Sequence, residues 1–303
     1  MTINEEGGAL AGAEARGAFA ALFHALSEPT RLALLDHLAA GEHRVRDLVD
    51  HASASPTPAE ISVIANTGDD ISLWGLRMSP DVDAVLAALA DEPDDGSDSV
   101  AREISALDVG PQWFPVTDRQ VATHLARTAW LGMGATPSEV TARLAERQGL
   151  ADRGVRLLPM SDVPVETHAV LDGEEQQQAV HVQQWRHELG CPPATRFIVA
   201  GMDRAAAAPG VLEAIREADL VLLAPGDPVL SIGIVLGVPG IRDALRGTSA
   251  PVVGITPELD DLGPSLAAVG VEPTADAVAA LYRDLRATWL PSDASPADAL
   301  ARV

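Results

Sequence analysis

Lysine is missing from this chain of 303 residues: its 21 basic side chains are all arginines, set against 44 acidic ones, for a formal net charge of −23. Such a surface repels phosphate backbones and anionic headgroups, which argues against non-specific binding to nucleic acid or membrane unless basic residues are gathered locally. A salt-rich compartment and a high-GC genome that avoids lysine codons would each account for the missing lysine. Cysteine is almost missing too. Cys191 stands alone, so no intrachain disulfide and no cysteine-based zinc site can form, as suits a reducing interior. Aromatic residues make up 3%. No run approaches the roughly 18 consecutive apolar residues of a membrane span, and the opening MTINEEGGAL has no basic stretch of the signal-peptide kind. The expected location is the cytoplasm.

What is present is material for a core: 47% of the residues are hydrophobic, enough for one large α/β domain or two smaller ones. Residues 1–58 read as a short all-helical segment. Phe19, Leu22, Phe23 and Leu26 form one stripe. Ser27 is an N-cap candidate, with Pro29 in the first turn and Gly41 as a stop, and RVRDLVDH gives a third short helix. The Ser/Pro/Ala stretch ASASPTPAE then marks a boundary. From Ile61 short apolar runs (ISVIAN, VRLLPM, AVHVQQW, DLVLL, APVVGITP) alternate with helical patterns (DVDAVLAALA, DRQVATHLARTAWLGM, TPSEVTARLAERQGL, PGVLEAIREA, VPGIRDALRG). This pattern predicts for residues 59–303 an α/β fold, a doubly wound, mainly parallel sheet with helices on both faces.

In such sheets ligands bind outside the carboxyl ends of the strands. The loops that follow the predicted strands are Asn66 to Asp70 (NTGDD), Pro159 to Asp162 (PMSD), Pro225 to Pro228 (PGDP) with Ser231 to Gly233, and Thr256 to Asp261. All should meet on one rim. Alone, NTGDD reads as a solvated turn and PGDP as a β-turn; the strand-end position and the nearby Asp81 and Asp83 make a site of them. Ser161-Asp162 suits a helix N-cap as well as a ligand contact. His124 and His187 have no metal-type i, i+4 partner and read as structural or solvent-facing. His168 and His181 show no pairing of base with nucleophile, so a Ser-His-Asp hydrolase is unsupported. Trp113 and Trp185 read as core anchors that could also stack on a flat ligand.

The segments NTGDD, SPDVDAVL, WFPVTDRQVATHLART, LLPMSDVPVETH, the long run from PGVLEAIREADLVLLAPGDPVLSIG to SAPVVGITP, and VGVEPTADAVAALY stand in an order that resembles the 2-phospho-L-lactate transferase family, across about residues 61–282. The resemblance implies a step in coenzyme F-420 biosynthesis. A phospholactyl or phosphoenolpyruvyl group would pass from a guanylyl diphosphate donor to the deazaflavin Fo, with release of GMP and a requirement for Mg²⁺. It implies Asp70 and Asp83 as catalytic residues and Asp69, Asp70 and Asp81 as metal ligands. The substrate side would comprise Asn66, Thr67, Gly68, Asp83, Pro115, Asp118, Arg119, Ser161, Asp162, Gly226, Asp227, Pro228, Ser231 and Gly233, with Asp83 facing the deazaflavin and Asn66 and the PGDPVLSIG loop on the nucleotide side. A homodimer is implied as well.

Two departures stand out. Family members open with a first strand and a glycine-rich phosphate loop, which residues 59–303 are expected to lack. Gly226-Asp227 also replaces the usual Ser-Asn, bringing a carboxylate to the nucleotide loop. In place of the first strand, LFHALSEPTRLALLDHLAAGEHRVRDLVDH (Leu22 to His51) resembles the first helices of ArsR-type winged-helix repressors, without the recognition helix and wing that specific DNA binding requires. Three readings therefore stay open: a transferase, possessing reduced activity if the loop is absent; a non-catalytic relative binding guanine nucleotide or deazaflavin; and a regulator with a ligand-sensing domain.

Overall fold

A computed structural model describes residues 31–36, 60–89 and 96–291. Its strands are β1 (Arg31–Asp36), β2 (Glu60–Ala65), β3 (Ile71–Leu73), β4 (Leu76–Met78), β5 (Val155–Pro159) and β6 (Glu166–Leu171), followed by β7 (Gln178–His181), β8 (Arg196–Ala200), β9 (Leu220–Leu223), β10 (Val252–Ile255) and β11 (Thr288–Leu290). Six of them form one parallel sheet in the order β11-β10-β9-β1-β2-β5. The chain lays strands to one side of β1 and later to the other, so the carboxyl ends of β1 and β9 flank the switch point where such folds bind ligands.

β1 corrects the sequence reading. Arg31–Asp36, expected to be helical, is a strand inside the sheet, with Leu32 in register with Ile61 on one side and Leu220 on the other. A short apolar run fits a helix and a buried strand equally well by periodicity, and here two parallel neighbours supply its hydrogen bonds. A first strand is thus present, and the expectation that residues 1–58 are all helical fails at these positions. The rest of 1–58, including the place of a glycine-rich loop and most of the ArsR-like stretch, lies outside the described residues.

Alternate side chains of the strands go to opposite layers, which is why each buried strand reads as a continuous apolar run. Val63, Leu157 and Leu222 pack against Val82, Val85 and Leu89 of helix Pro80–Leu89 and Val140 and Leu144 of helix Pro137–Arg147. Ile64, Leu158, Val221 and Leu223 face Val211, Ile215, Val235, Ile241 and Leu245 on the other side. Each such side chain taken from water stabilises the fold by roughly 1.5–3 kcal/mol. Helix Pro137–Arg147 starts where the sequence places it: Thr136 and Glu139 form a capping box around Pro137.

Two smaller sheets stand on the carboxyl rim. β3 and β4 form a hairpin whose two loop residues, Trp74 (φ 54°) and Gly75 (φ 76°), both have positive φ, the twist a two-residue hairpin needs. β7, β6 and β8 form an antiparallel sheet. Within AVHVQQW the strand ends at His181, whose Nδ1 accepts from Gln183 N and starts helix Val182–His187.

Candidate functional site

The loop after β2 is organised by Asn66, which is fully buried. Its Oδ1 accepts from Gly68 N at 2.8 Å, closing a tight turn, and its Nδ2 donates to Asp81 Oδ2 at 2.7 Å. The same amide lies 3.5 Å from Asp69 Oδ1 and 3.4 Å from the carbonyl of Leu230, which ties this loop to the one after β9. Asp69 is buried as well. Its Oδ2 accepts from Arg186 Nη1 at 2.5 Å and Gln183 Nε2 at 3.0 Å, both from helix Val182–His187. Burial disfavours the Arg186 cation, but the carboxylates of Asp69, Asp227 and Asp81 around it outweigh that and raise its pKa. A guanidinium thus sits where three acids converge.

Asp70 turns the other way, into a pocket of about 380 Å³. Its Oδ2 accepts from Ser79 Oγ at 2.9 Å and meets Arg77 Nη2 at 3.4 Å, and Arg77 Nη1 also holds Glu166 at 2.8 Å. Asp70 Oδ1 and Thr67 Oγ1 are buried with no hydrogen-bond partner among the described residues. Desolvation outweighs the favourable Arg77, Arg127 and Ser79 and pushes the Asp70 carboxyl up to about 7. Val82, Leu131, Val140, Val163 and Val165 supply apolar wall, while Arg77, Arg127, Ser79 and Ser161 supply polar groups. His181 Nε2 donates to the Asp70 carbonyl at 3.1 Å and braces the turn from outside.

Asp83, in the first turn of helix Pro80–Leu89, does not reach the pocket as a free base. Both its oxygens are gripped by the Arg127 guanidinium, Oδ2 at 2.9 Å from Nη1 and Oδ1 closer still to Nη2. Arg127 Nη1 also donates to His124 Nδ1 at 3.2 Å. Burial lowers the His124 pKa to about 4, so the ring is neutral at pH 7 and able to accept. Arg77, Arg127, Arg186 and His124 are functional or supporting residues that sequence reasoning missed. The i, i+3 spacing of His124 and Arg127 on helix Asp118–Gly132 was the one available signal for a shared face.

The remaining expected residues divide. Asp118 accepts from Ser97 Oγ (2.7 Å), Ser99 Oγ (2.5 Å) and Val100 N (2.8 Å); these bonds cap helix Ser99–Ala106 and lower its pKa to about 2. Pro115 and Arg119 are exposed, and none of these three lines the pocket. Ser161 and Asp162 do line it, and Asp162 also caps helix Pro137–Arg147 from outside, accepting from Ser138 N at 2.7 Å and Ser138 Oγ at 2.6 Å. Gly226, Asp227 and Pro228 form a buried turn. Asp227 Oδ1 accepts from Val229 N and Leu230 N, so this carboxylate helps to build the loop. Ser231 Oγ is fully buried with no partner among the described residues. A Cβ on Gly233 would lie 2.7 Å from the Pro228 carbonyl, and one on Gly68 2.6 Å from Ile234 Cγ2. Glycine at 68 lets the two segments pack closely, and glycine at 233 lets the second loop fold back against its own Pro228.

Among the described residues no three His, Cys, Asp or Glu side chains are grouped to hold a metal ion. Asp69 and Asp81 converge, but on Arg186, Gln183 and Asn66. Among the described residues, Asp70 Oδ1 is the one buried carboxylate oxygen without a hydrogen-bond partner. That fits magnesium in one form: Asp70 would supply a single carboxylate, and the ion would supply charge neutralisation to a bound diphosphate.

A charged, part-apolar pocket at the carboxyl rim of a doubly wound sheet, here between the loops after β2 and β5, places the protein in the broad class of α/β proteins that bind ligands at that rim. The comparisons narrow this. The family model for 2-phospho-L-lactate transferase CofD matches residues 38–299, and the chain belongs to that family of transferases. It is 42% identical over 282 residues to phosphoenolpyruvate transferase of Streptomyces coelicolor, covering 88% of this chain and 87% of the relative. With the proteins of the same name from Thermobifida fusca and Kitasatospora aureofaciens it shares 41% over 275 residues (86% and 84% covered) and 45% over 251 residues (76% of each). Two crystal structures of one Bacillus halodurans protein, BH3568, share the fold. One has a TM-score of 0.56 at 16% identity, covering 91% of this chain and 99% of the other; the second, described as a UPF0052 member, has 0.52 at 19%, covering 86% of each. The expected fold class and transferase character are both met. No helix among the described residues is long and apolar enough to cross a membrane.

Proposed function

We propose that this chain transfers a phosphoenolpyruvyl group from a guanylyl diphosphate donor to the terminal ribityl hydroxyl of the deazaflavin Fo, in the cytoplasm, as a step of coenzyme F-420 biosynthesis. The single observation that carries this reading is the pocket beside Asp70, where an unpartnered carboxylate oxygen and two guanidinium groups meet under an apolar wall. The enolpyruvyl choice, over lactyl, follows the relatives' names. The pocket volume of about 380 Å³ suits a flat tricyclic ligand with a polar tail. In the transfer, the hydroxyl oxygen forms a bond to the donor's outer phosphorus and the bond from that phosphorus to the GMP oxygen breaks. GMP leaves with the electron pair, and the hydroxyl proton passes to water. Phosphoryl transfer asks the protein mainly for positioning and charge stabilisation.

The residues divide that work. Asp70 would hold magnesium, which supplies neutralisation of the diphosphate charge. Thr67, Ser79 and Ser161 offer hydroxyls to the acceptor's polar tail, and Val82, Leu131 and Val140 exclude water beside its rings. Asn66 and the loop from Gly226 to Gly233 shape the donor side. The test is GMP release from purified protein, Fo, donor and Mg²⁺, with the product mass measured, beside calorimetric binding of Fo. Turnover lost in Asp70→Asn supports the reading, whereas a folded wild-type protein that neither binds Fo nor releases GMP defeats it.

A further inference from the structure

We propose that Arg127 is a catalytic residue that stabilises the charge on the transferring phosphoryl group, and that Asp83 and His124 act through it as positioning residues. This rests on the transferase reading above. Arg127 lines the pocket beside Asp70 although its side chain is only 4% exposed, so what it shows of itself is turned to the ligand space. A guanidinium carries five N–H donors. Two go to the Asp83 oxygens and one to His124 Nδ1, which leaves Nε–H and one Nη2–H for a ligand. Held in a fork by Asp83 and from the side by a neutral ring, the group is fixed in direction before any substrate arrives, the condition under which electrostatic stabilisation needs no reorganisation.

Arg77, the other guanidinium in the pocket, is less suited. It is divided between Asp70 and Glu166, each of which draws on one of its terminal nitrogens. His124 adds no competing charge, since its pKa lies near 4 through burial. Asp83, and more distantly Asp70, set negative charge beside Arg127. An anion entering the pocket therefore meets Arg127 as a pre-aimed cation. The transferred group is such an anion at its phosphorus, and it gains equatorial charge in the loose transition state.

The test compares wild type, Arg127→Lys, Arg127→Met and Asp83→Asn as full chains, with folding checked by circular dichroism and thermal melting. The lysine variant keeps a cation beside Asp83, so it preserves the fold if the methionine variant does not. Arg127→Met should lower kcat by about 10³-fold and Arg127→Lys by about 10²-fold, with KM for Fo changed less than fivefold, because an ammonium cannot reproduce the fork. Asp83→Asn should also lower kcat. Combined with Arg127→Met it should cost no more than Arg127→Met alone, a non-additivity that general loosening of the fold would not produce. Folded Arg127→Lys with kcat within threefold of wild type, or full additivity of the two changes, overturns the inference while leaving the transferase reading in place. A wild-type protein without turnover overturns both.

Discussion

Replacing Asp70 by asparagine should make the protein more stable and inactive. Asp70 is held at a pKa of about 7 against an ordinary 3.8, with desolvation the leading cause. Because the folded state binds this proton more tightly than the unfolded chain does, stability falls as pH rises from about 4 to about 7 and is level above that. At ~1.4 kcal/mol per pKa unit the ionised carboxylate costs the fold up to about 4 kcal/mol at pH 8. Asparagine has nothing to ionise and is nearly isosteric. Its amide meets Arg77 less favourably, but Arg77 keeps Glu166 at 2.8 Å. A net gain of roughly 1–3 kcal/mol at pH 8 is expected, shrinking toward zero at pH 4. Urea denaturation at pH 8, 6 and 4.5, with chelator present so that no divalent ion stabilises the wild type alone, measures it. A variant less stable than wild type at pH 8, or a gain that ignores pH, would refute the reasoning. A stability gain bought with lost turnover is the usual sign of a group kept for chemistry.

His124 should give an acid-labile contribution of the opposite sense. Its pKa lies near 4 through burial, so stability is fully present above about pH 6.5 and is lost as pH falls toward 4, by up to about 3 kcal/mol; melting curves of His124→Gln should lose this segment of the pH dependence, and an unchanged slope would count against it. Asp162→Ala removes the acceptor for Ser138 N and Oγ and should cost about 1 kcal/mol in chemical denaturation. Gly233→Ala drives a Cβ to 2.7 Å from the Pro228 carbonyl, where backbone must shift. The expected cost is about 1–3 kcal/mol together with weaker donor binding by calorimetry, and unaltered binding would mean the loop is not on the donor side.

How far the sequence discloses this molecule depends on the range over which each feature is decided. β2, β5, β9 and β10 are legible as short apolar runs bounded by turn residues, since both of their faces are buried. Arg31–Asp36 is not. Ser27, Glu28 and Pro29 ahead of it match a helix start, and only the two strands it lies between decide otherwise. The acids of NTGDD are visible at once, but their directions are not. Asp69 is answered by Arg186, 117 positions away, and Asp83 by Arg127, 44 away. In a chain without lysine every buried acid that needs a side-chain cation must find arginine or histidine, whose planar donors fix the carboxylate's orientation as well as its charge. Asp69 and Asp83 have done so and hold the site's shape. Asp70 has Arg77 on one oxygen and no partner on the other, and it is this unfinished pairing, rather than the run of acids, that separates a ligand group from a structural one.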